Sequence, residues 1–159
     1  MLALIVAYDK NRLIGKNGGM PWYIPGELKR FRSLTENNVV IMGRKTYESL
    51  GNPLKNRINI VLSRSKDFDG ENVYTAKNLT EAVDMARGKW PEKNIYIGGG
   101  ANLYNQVLND VDVMYITEID AEFEGDTYFP QFDESLFTKE INGRYESNVP
   151  YTYTTYTRK

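Results

Sequence analysis

Val39-Val40-Ile41-Met42-Gly43-Arg44-Lys45-Thr46 reads as a strand that runs through a glycine into a helix start. Four consecutive apolar residues without polar alternation fit a strand buried on both faces, as in a parallel sheet covered by helices on either side. The same continuous apolarity recurs in Leu2-Ala3-Leu4-Ile5-Val6-Ala7. Working outward, apolar runs bounded by turn residues predict strands near 2–8, 39–42, 58–62, 72–75, 94–97 and 111–119. Helical patterns fit 25–35, 44–50, 78–88 and 101–108. Strands alternating with helices argue for an α/β fold.

Beyond Phe137 the pattern changes to two strands near 136–141 and 150–158, with no helix between them. The connection 142–149 contains Asn142-Gly143 and suggests a hairpin. The alternation of Tyr151 and Tyr153 slips at Thr154-Thr155, which predicts a bulge. The expected architecture is a single domain over residues 1–159 with a central, mostly parallel eight-stranded sheet. Its C-terminal edge strand is antiparallel, and about four helices flank it.

Composition narrows the chemistry. A net charge of −1 leaves no electrostatic footprint for nucleic acid or an anionic membrane. The apolar N-terminal run is short and meets Asp9, Lys10 and Arg12 at once, so it reads as a buried strand and the cytoplasm is the default location. With no cysteine, disulfides, thiol catalysis and cysteine-ligated metals are excluded. With no histidine, proton chemistry near neutral pH falls to a carboxylate, lysine, tyrosine or water. No metal site is expected.

One carboxylate stands out. The stretch from Asp9 to Tyr23 has no periodicity, yet it holds Ile14, Met20, Pro21 and Trp22 among Gly15, Gly18 and Gly19. Structureless loops of that length in compact domains are usually functional or disordered; its apolar residues argue against disorder and its glycines give hinge freedom, so it reads as a lid. It leads into a helix with Pro25 at the first helical position. At about 100° per residue, Glu27 shares the apolar stripe of Ile24, Phe31 and Leu34, while Lys29, Arg32 and Ser33 point away. A carboxylate there is a candidate active-site acid, the alternative being an ordinary first-turn glutamate that favours the helix dipole.

Three strand ends carry phosphate-like chemistry: Gly43-Arg44-Lys45-Thr46, Ser63-Arg64-Ser65, and Gly98-Gly99-Gly100 before the helix with Leu103 and Tyr104. Ligands of open α/β sheets bind at such ends, where glycines admit a pyrophosphate. Singly, each is also a plain turn or a solvated charge. On one sheet edge together, Arg44, Lys45 and Arg64 would favour NADP over NAD, because arginine suits a ribose 2′-phosphate.

These segments resemble bacterial dihydrofolate reductase over essentially the whole chain. The resemblance rests on Leu4-Ile5-Val6-Ala7, Ile14-Gly15, Met20-Pro21-Trp22, Pro25-Gly26-Glu27-Leu28, Val40-Ile41-Met42-Gly43-Arg44, Ile97-Gly98-Gly99-Gly100 and Glu124-Gly125-Asp126-Thr127. It implies NADPH-dependent reduction of dihydrofolate, with antifolate inhibitors as further ligands and a monomeric state. In that pattern Glu27 is the proton-handling group of the pterin pocket, Thr117 supports it, and Trp22 helps hold a nearby water. Ile5, Leu28, Phe31, Leu50 and Leu54 form apolar walls, joined by Ile97 and Tyr104, and Arg57 clamps the α-carboxylate of the folate glutamate. By the same resemblance the cofactor meets Ala7, Ile14, Gly15, Met20, Gly43, Arg44, Lys45, Thr46, Leu62, Ser63, Arg64 and Lys77. It also meets Ile97, Gly98, Gly99, Gly100, Ala101, Asn102, Leu103 and Tyr104, with a cis peptide implied at Gly98-Gly99. Gly125-Asp126-Thr127 resembles the partner of the closed lid. Departures are Ile24 in place of the usual Leu, Tyr47, and Gly18 in the lid. A fold-sharing reductase of riboflavin biosynthesis and a non-catalytic dinucleotide-binding domain are the competing readings.

Overall fold

The structure, a computed structural model, describes residues 1–17 and 19–159; Gly18, singled out above as a lid hinge, lies outside the described residues. Its centre is strand β1 (Leu2–Tyr8), buried along its whole length. On one side β1 pairs in parallel with β6 (Ile95–Ile97), and on the other with β7 (Val113–Ile119). Further out from β6 lie β3 (Val39–Gly43), β4 (Ile58–Leu62) and β5 (Val73–Ala76), all parallel. Beyond β7 come β10 (Tyr151–Arg158), antiparallel to it, and then β9 (Phe137–Tyr145) at the edge. The order β5-β4-β3-β6-β1-β7-β10-β9 is the expected mixed eight-stranded sheet, with the antiparallel strand one place in from the edge.

Four helices cover it: α1 (Pro25–Thr35), α2 (Arg44–Leu50), α3 (Leu79–Lys89) and α4 (Ala101–Val107). Period-two alternation along β1 divides its side chains between the two faces of the sheet. Leu2, Leu4, Val6 and Tyr8 join a cluster that contains Ala82 and Ala86 of α3 and Leu103, Tyr104 and Val107 of α4. Ala3 and Ile5 face the other way, where Phe31 and Leu34 of α1 pack. Ala7 joins Leu13, Trp22 and Ile24. No helix among the described residues is long and apolar enough to cross a membrane.

Two features differ from the expectations. The register shift between β9 and β10 falls at Tyr153/Thr154, one residue early, and the extra residue is Asn142 on β9. Asn142-Gly143 therefore forms no turn: β9 continues to Tyr145, because pairing along the full length of β10 outweighs the local turn preference. The second feature is a separate two-stranded sheet that pairs β2 (Leu13–Gly15), within the stretch read as a loop, with β8 (Thr127–Tyr128).

Candidate active site

Helix α1 begins at Pro25, after Ile24, which is buried and supplies no side-chain cap. The first turn is fixed instead by packing, and it carries Glu27, which is partly buried. Desolvation pushes the Glu27 carboxyl up from its ordinary 4.5 to about 7, against the opposing pull of the Arg30 cation. A carboxyl in that range changes charge near neutral pH, as an unperturbed histidine would, and the chain has no histidine.

Trp22, just ahead of the helix, is buried against Phe123, with ring centroids 5.4 Å apart. Its indole Nε1 is buried with no acceptor among the described residues. Thr117 is buried on β7, in register with Ala7 of β1 and Tyr153 of β10. Tyr104 donates its hydroxyl to the Ile5 carbonyl at 2.8 Å, joining α4 to β1; burial, with Glu27 adding to it, pushes its phenol far above the usual range.

The apolar residues expected to wall a substrate pocket span the range of burial, with Phe31 and Leu54 half-buried. Ile5 and Ile97 are buried, as core residues would also be. Leu28 and Leu50, however, are 46% and 43% exposed, and Met20 of the lid is 54% exposed. Large apolar side chains left facing water are not core, and they suit a surface that an aromatic ligand covers.

Arg57 is buried rather than a loop-surface charge. Its Nε donates to the Lys55 carbonyl at 2.8 Å, and its Nη1 to Thr35 Oγ1 at 3.1 Å, with Thr35 in turn donating to Phe31 O. Burial lowers its pKa, opposed by the nearby Glu36 carboxylate. The loop that presents Arg57 and Leu54 is held by Asn59, fully buried, whose Oδ1 accepts from Leu54 N and whose Nδ2 donates to Leu54 O and Arg57 O. Asn59 escaped the sequence reading: a lone asparagine inside an apolar strand gives no sign of which loop it ties.

The three phosphate-like strand ends do meet. β3, β4 and β6 are adjacent in the sheet, and their ends open into one cleft of about 750 Å³. Gly43, Arg44, Lys45, Thr46, Leu62, Ser63, Arg64 and Lys77 line it, together with Gly100, Ala101, Asn102 and Leu103. Lys77 is positioned by its backbone N–H, which donates to Glu81 at 3.2 Å, while Asn78 caps α3. The Arg44 charge is shared with Glu48 at 3.4 Å, and its Nη1 donates to Ser65. Ser65, part of the strand end Ser63-Arg64-Ser65, also lines the cleft, as do Asn78, Leu79 and Gln106, which carried no local signal in the sequence. The expected contacts Ala7, Ile14, Gly15, Met20, Ile97, Gly98, Gly99 and Tyr104 lie outside that lining.

Beside the cleft, the cis peptide is at Gly99–Gly100, one bond later than expected. Gly98 still donates to Ile41 O at 2.9 Å, so the β6–β3 ladder reaches Gly98 before the chain turns away. Gly99 then takes φ 112°, open to glycine and strained for other residues, and its carbonyl accepts from Gly43 N at 3.0 Å.

The lid is tied to the loop before β8. Asp126 N donates to Gly15 O at 3.1 Å, and Asp126 Oδ2 accepts from Asn17 N at 3.1 Å. Gly125 approaches so closely that a Cβ there would lie 2.5 Å from Gly15 O. At the root of the lid, buried Asp9 accepts from the N–H groups of Asn11, Leu13 and Phe123.

A dihydrofolate reductase family model matches residues 1–158. The chain belongs to the dihydrofolate reductase family. A dihydrofolate reductase of Bacillus subtilis is 42% identical over 156 residues, covering 96% of this chain and 90% of that one. One from Staphylococcus aureus is 33% identical over 162 residues, covering 99% of this chain and 98% of that one. Among solved structures, an Enterococcus faecalis dihydrofolate reductase complexed with NADP(H) and RAB-propyl superposes with a TM-score of 0.90. It is 36% identical, over 100% of this chain and 96% of that one. Members of this family are NADPH-dependent oxidoreductases, and the basic, glycine-rich cleft has the donor set that such a cofactor needs.

Proposed function

We propose that this protein reduces 7,8-dihydrofolate to 5,6,7,8-tetrahydrofolate with NADPH, delivering hydride to C6 and a proton to N5 of the pterin. The observation that carries the reading is Glu27, a partly buried carboxyl held near 7 next to the exposed Leu28, in a chain without histidine. When bound, NADPH supplies the hydride.

The chain's own residues orient the pterin ring, keep water from it and handle the proton. Glu27 hydrogen-bonds the ring and raises the availability of a proton at N5. Thr117, buried on β7, supports Glu27. The unpartnered Trp22 Nε1 holds a water beside the acid, since a buried donor left unpaired costs about 1–3 kcal/mol. Ile5, Leu28, Phe31, Leu50, Leu54, Ile97 and Tyr104 wall the pocket, and Arg57 pairs with the substrate's α-carboxylate. Arg44, Lys45, Arg64 and Lys77 take the cofactor's phosphates, with the 2′-phosphate on the arginine side. Closure of the Ile14–Met20 lid covers the reacting rings.

In the same reading, residues 1–159 act as one domain, monomeric and cytoplasmic, and antifolate inhibitors compete for the pterin pocket. Light scattering after size exclusion checks the oligomeric state. The decisive assay mixes the protein with NADPH and dihydrofolate and follows NADPH absorbance. Loss of absorbance that depends on dihydrofolate supports the reading. Turnover only with a riboflavin precursor, or NADPH binding without any turnover, contradicts it.

A further inference from the structure

Arg30 stands three residues after Glu27 on α1, one helical turn along the same flank. It does not lie along the surface. Its Nη1 donates to the Ile116 carbonyl of β7 at 2.9 Å, and its Nη2 to the Thr154 carbonyl of β10 at 2.9 Å. Ile116 and Thr154 are themselves paired across the two strands, so the guanidinium fork bridges the seam between β7 and β10. Thr154 adjoins the bulge at Asn142, where the ladder to β9 is interrupted, and Asn142 Oδ1 accepts a further bond from Arg30 at 3.3 Å.

The aromatic surroundings complete the socket. The guanidinium carbon lies 4.6 Å from the Tyr153 ring centroid and 5.7 Å from that of Tyr115. Tyr153 also donates its hydroxyl to the Gly26 carbonyl, tying down the residue just ahead of Glu27. The groups facing Arg30 are Tyr115 of β7, Tyr153 of β10, Tyr145 of β9 and Glu27 on its own helix. Glu27 in turn faces Arg30 and acts on Tyr104 of α4. The cation bolted to this seam therefore opposes the desolvation of Glu27.

We propose that Arg30 is a positioning residue for the reaction, locking α1 to the β7–β10 seam and fixing its cation one helical turn from the Glu27 carboxyl. This rests on reading Glu27 as the proton-handling carboxyl. Without the cation, burial acts unopposed and Glu27 stays protonated to higher pH. Arginine suits the task because a planar fork satisfies two carbonyls while stacking on a ring, and lysine cannot do all of these at once.

The test is a 13C NMR titration of glutamate carboxyls in the full chain, with the Glu27 signal assigned as the one lost in Glu27→Gln. Arg30→Met and Arg30→Gln should raise the Glu27 midpoint by about one pH unit, and Arg30→Lys by less. The pH profile of hydride transfer should move the same way. An unmoved midpoint in folded neutral variants, with only thermal stability lost, overturns the proposal and leaves Arg30 a packing residue. Should neither neutral variant fold, Arg30→Lys decides, since one ammonium reaches fewer carbonyls and its midpoint must still rise; no rise overturns the proposal. A wild-type rate in Glu27→Gln would instead defeat the reading of Glu27, while the titration would still report on Arg30.

Discussion

Asp126 Oδ2 accepts the backbone N–H of Asn17 at 3.1 Å, joining the lid to a segment 109 residues away. That bond and the Thr127 hydroxyl on Oδ1 hold the Asp126 carboxyl below the usual carboxylate range. The folded pKa lies below the unfolded one, so the contact contributes above the ordinary carboxylate range and is lost as pH falls through the depressed value. Asp126→Ala should speed hydrogen exchange in residues 13–17 at neutral pH and slow hydride transfer several-fold. Acidification should loosen the wild-type lid in the same way. Unchanged exchange in the variant would show that β2–β8 pairing alone holds the lid.

Glu27 makes a second prediction, of opposite sign. Its folded pKa, about 7, lies above its ordinary 4.5. Between those values the folded state binds more protons than the unfolded one, so stability falls as pH rises through this window. Glu27→Gln should therefore be more stable than wild type at pH 8, by about 1–3 kcal/mol, and nearly equal to it at pH 4.5. Urea unfolding at both pH values measures the difference; equal stabilities at pH 8 would mean that Glu27 carries no desolvation penalty.

Arg57 is anchored through Nε and Nη1, on Lys55 O and Thr35 Oγ1. Arg57→Lys keeps a charge but loses the fork, so KM for dihydrofolate should rise about 10- to 100-fold while NADPH affinity stays the same. A parallel loss of NADPH affinity would indicate collapse of the loop that Asn59 holds.

Arg44 and Arg64 line the cleft, with Arg44 already shared with Glu48. The double variant Arg44→Ala, Arg64→Ala should raise KM for NADPH about tenfold or more and leave KM for NADH little changed. Steady-state kinetics with both cofactors decides it. Undiminished preference for NADPH would move 2′-phosphate recognition to other residues.

What the sequence disclosed follows the range of the forces involved. β1 and β3 were legible because strands buried on both faces are apolar without a break. Gly43, Ser63 and Gly100 were legible as strand ends, although only the sheet order brings them into one cleft. β2 and β8, of three and two residues, are too short for any pattern and exist only because they pair with each other. Asn142-Gly143 has turn chemistry, but pairing with β10 made it a bulge. Arg30 resembles its exposed neighbours Lys29 and Arg32; its socket comes from residues 115–155, far along the chain.

The central claim, that Glu27 handles the proton, is tested most directly by single-turnover stopped-flow of Glu27→Gln loaded with NADPH and mixed with dihydrofolate at pH 7. The account predicts unchanged NADPH binding and a hydride-transfer rate at least about 100-fold below wild type. A rate close to wild type would contradict it.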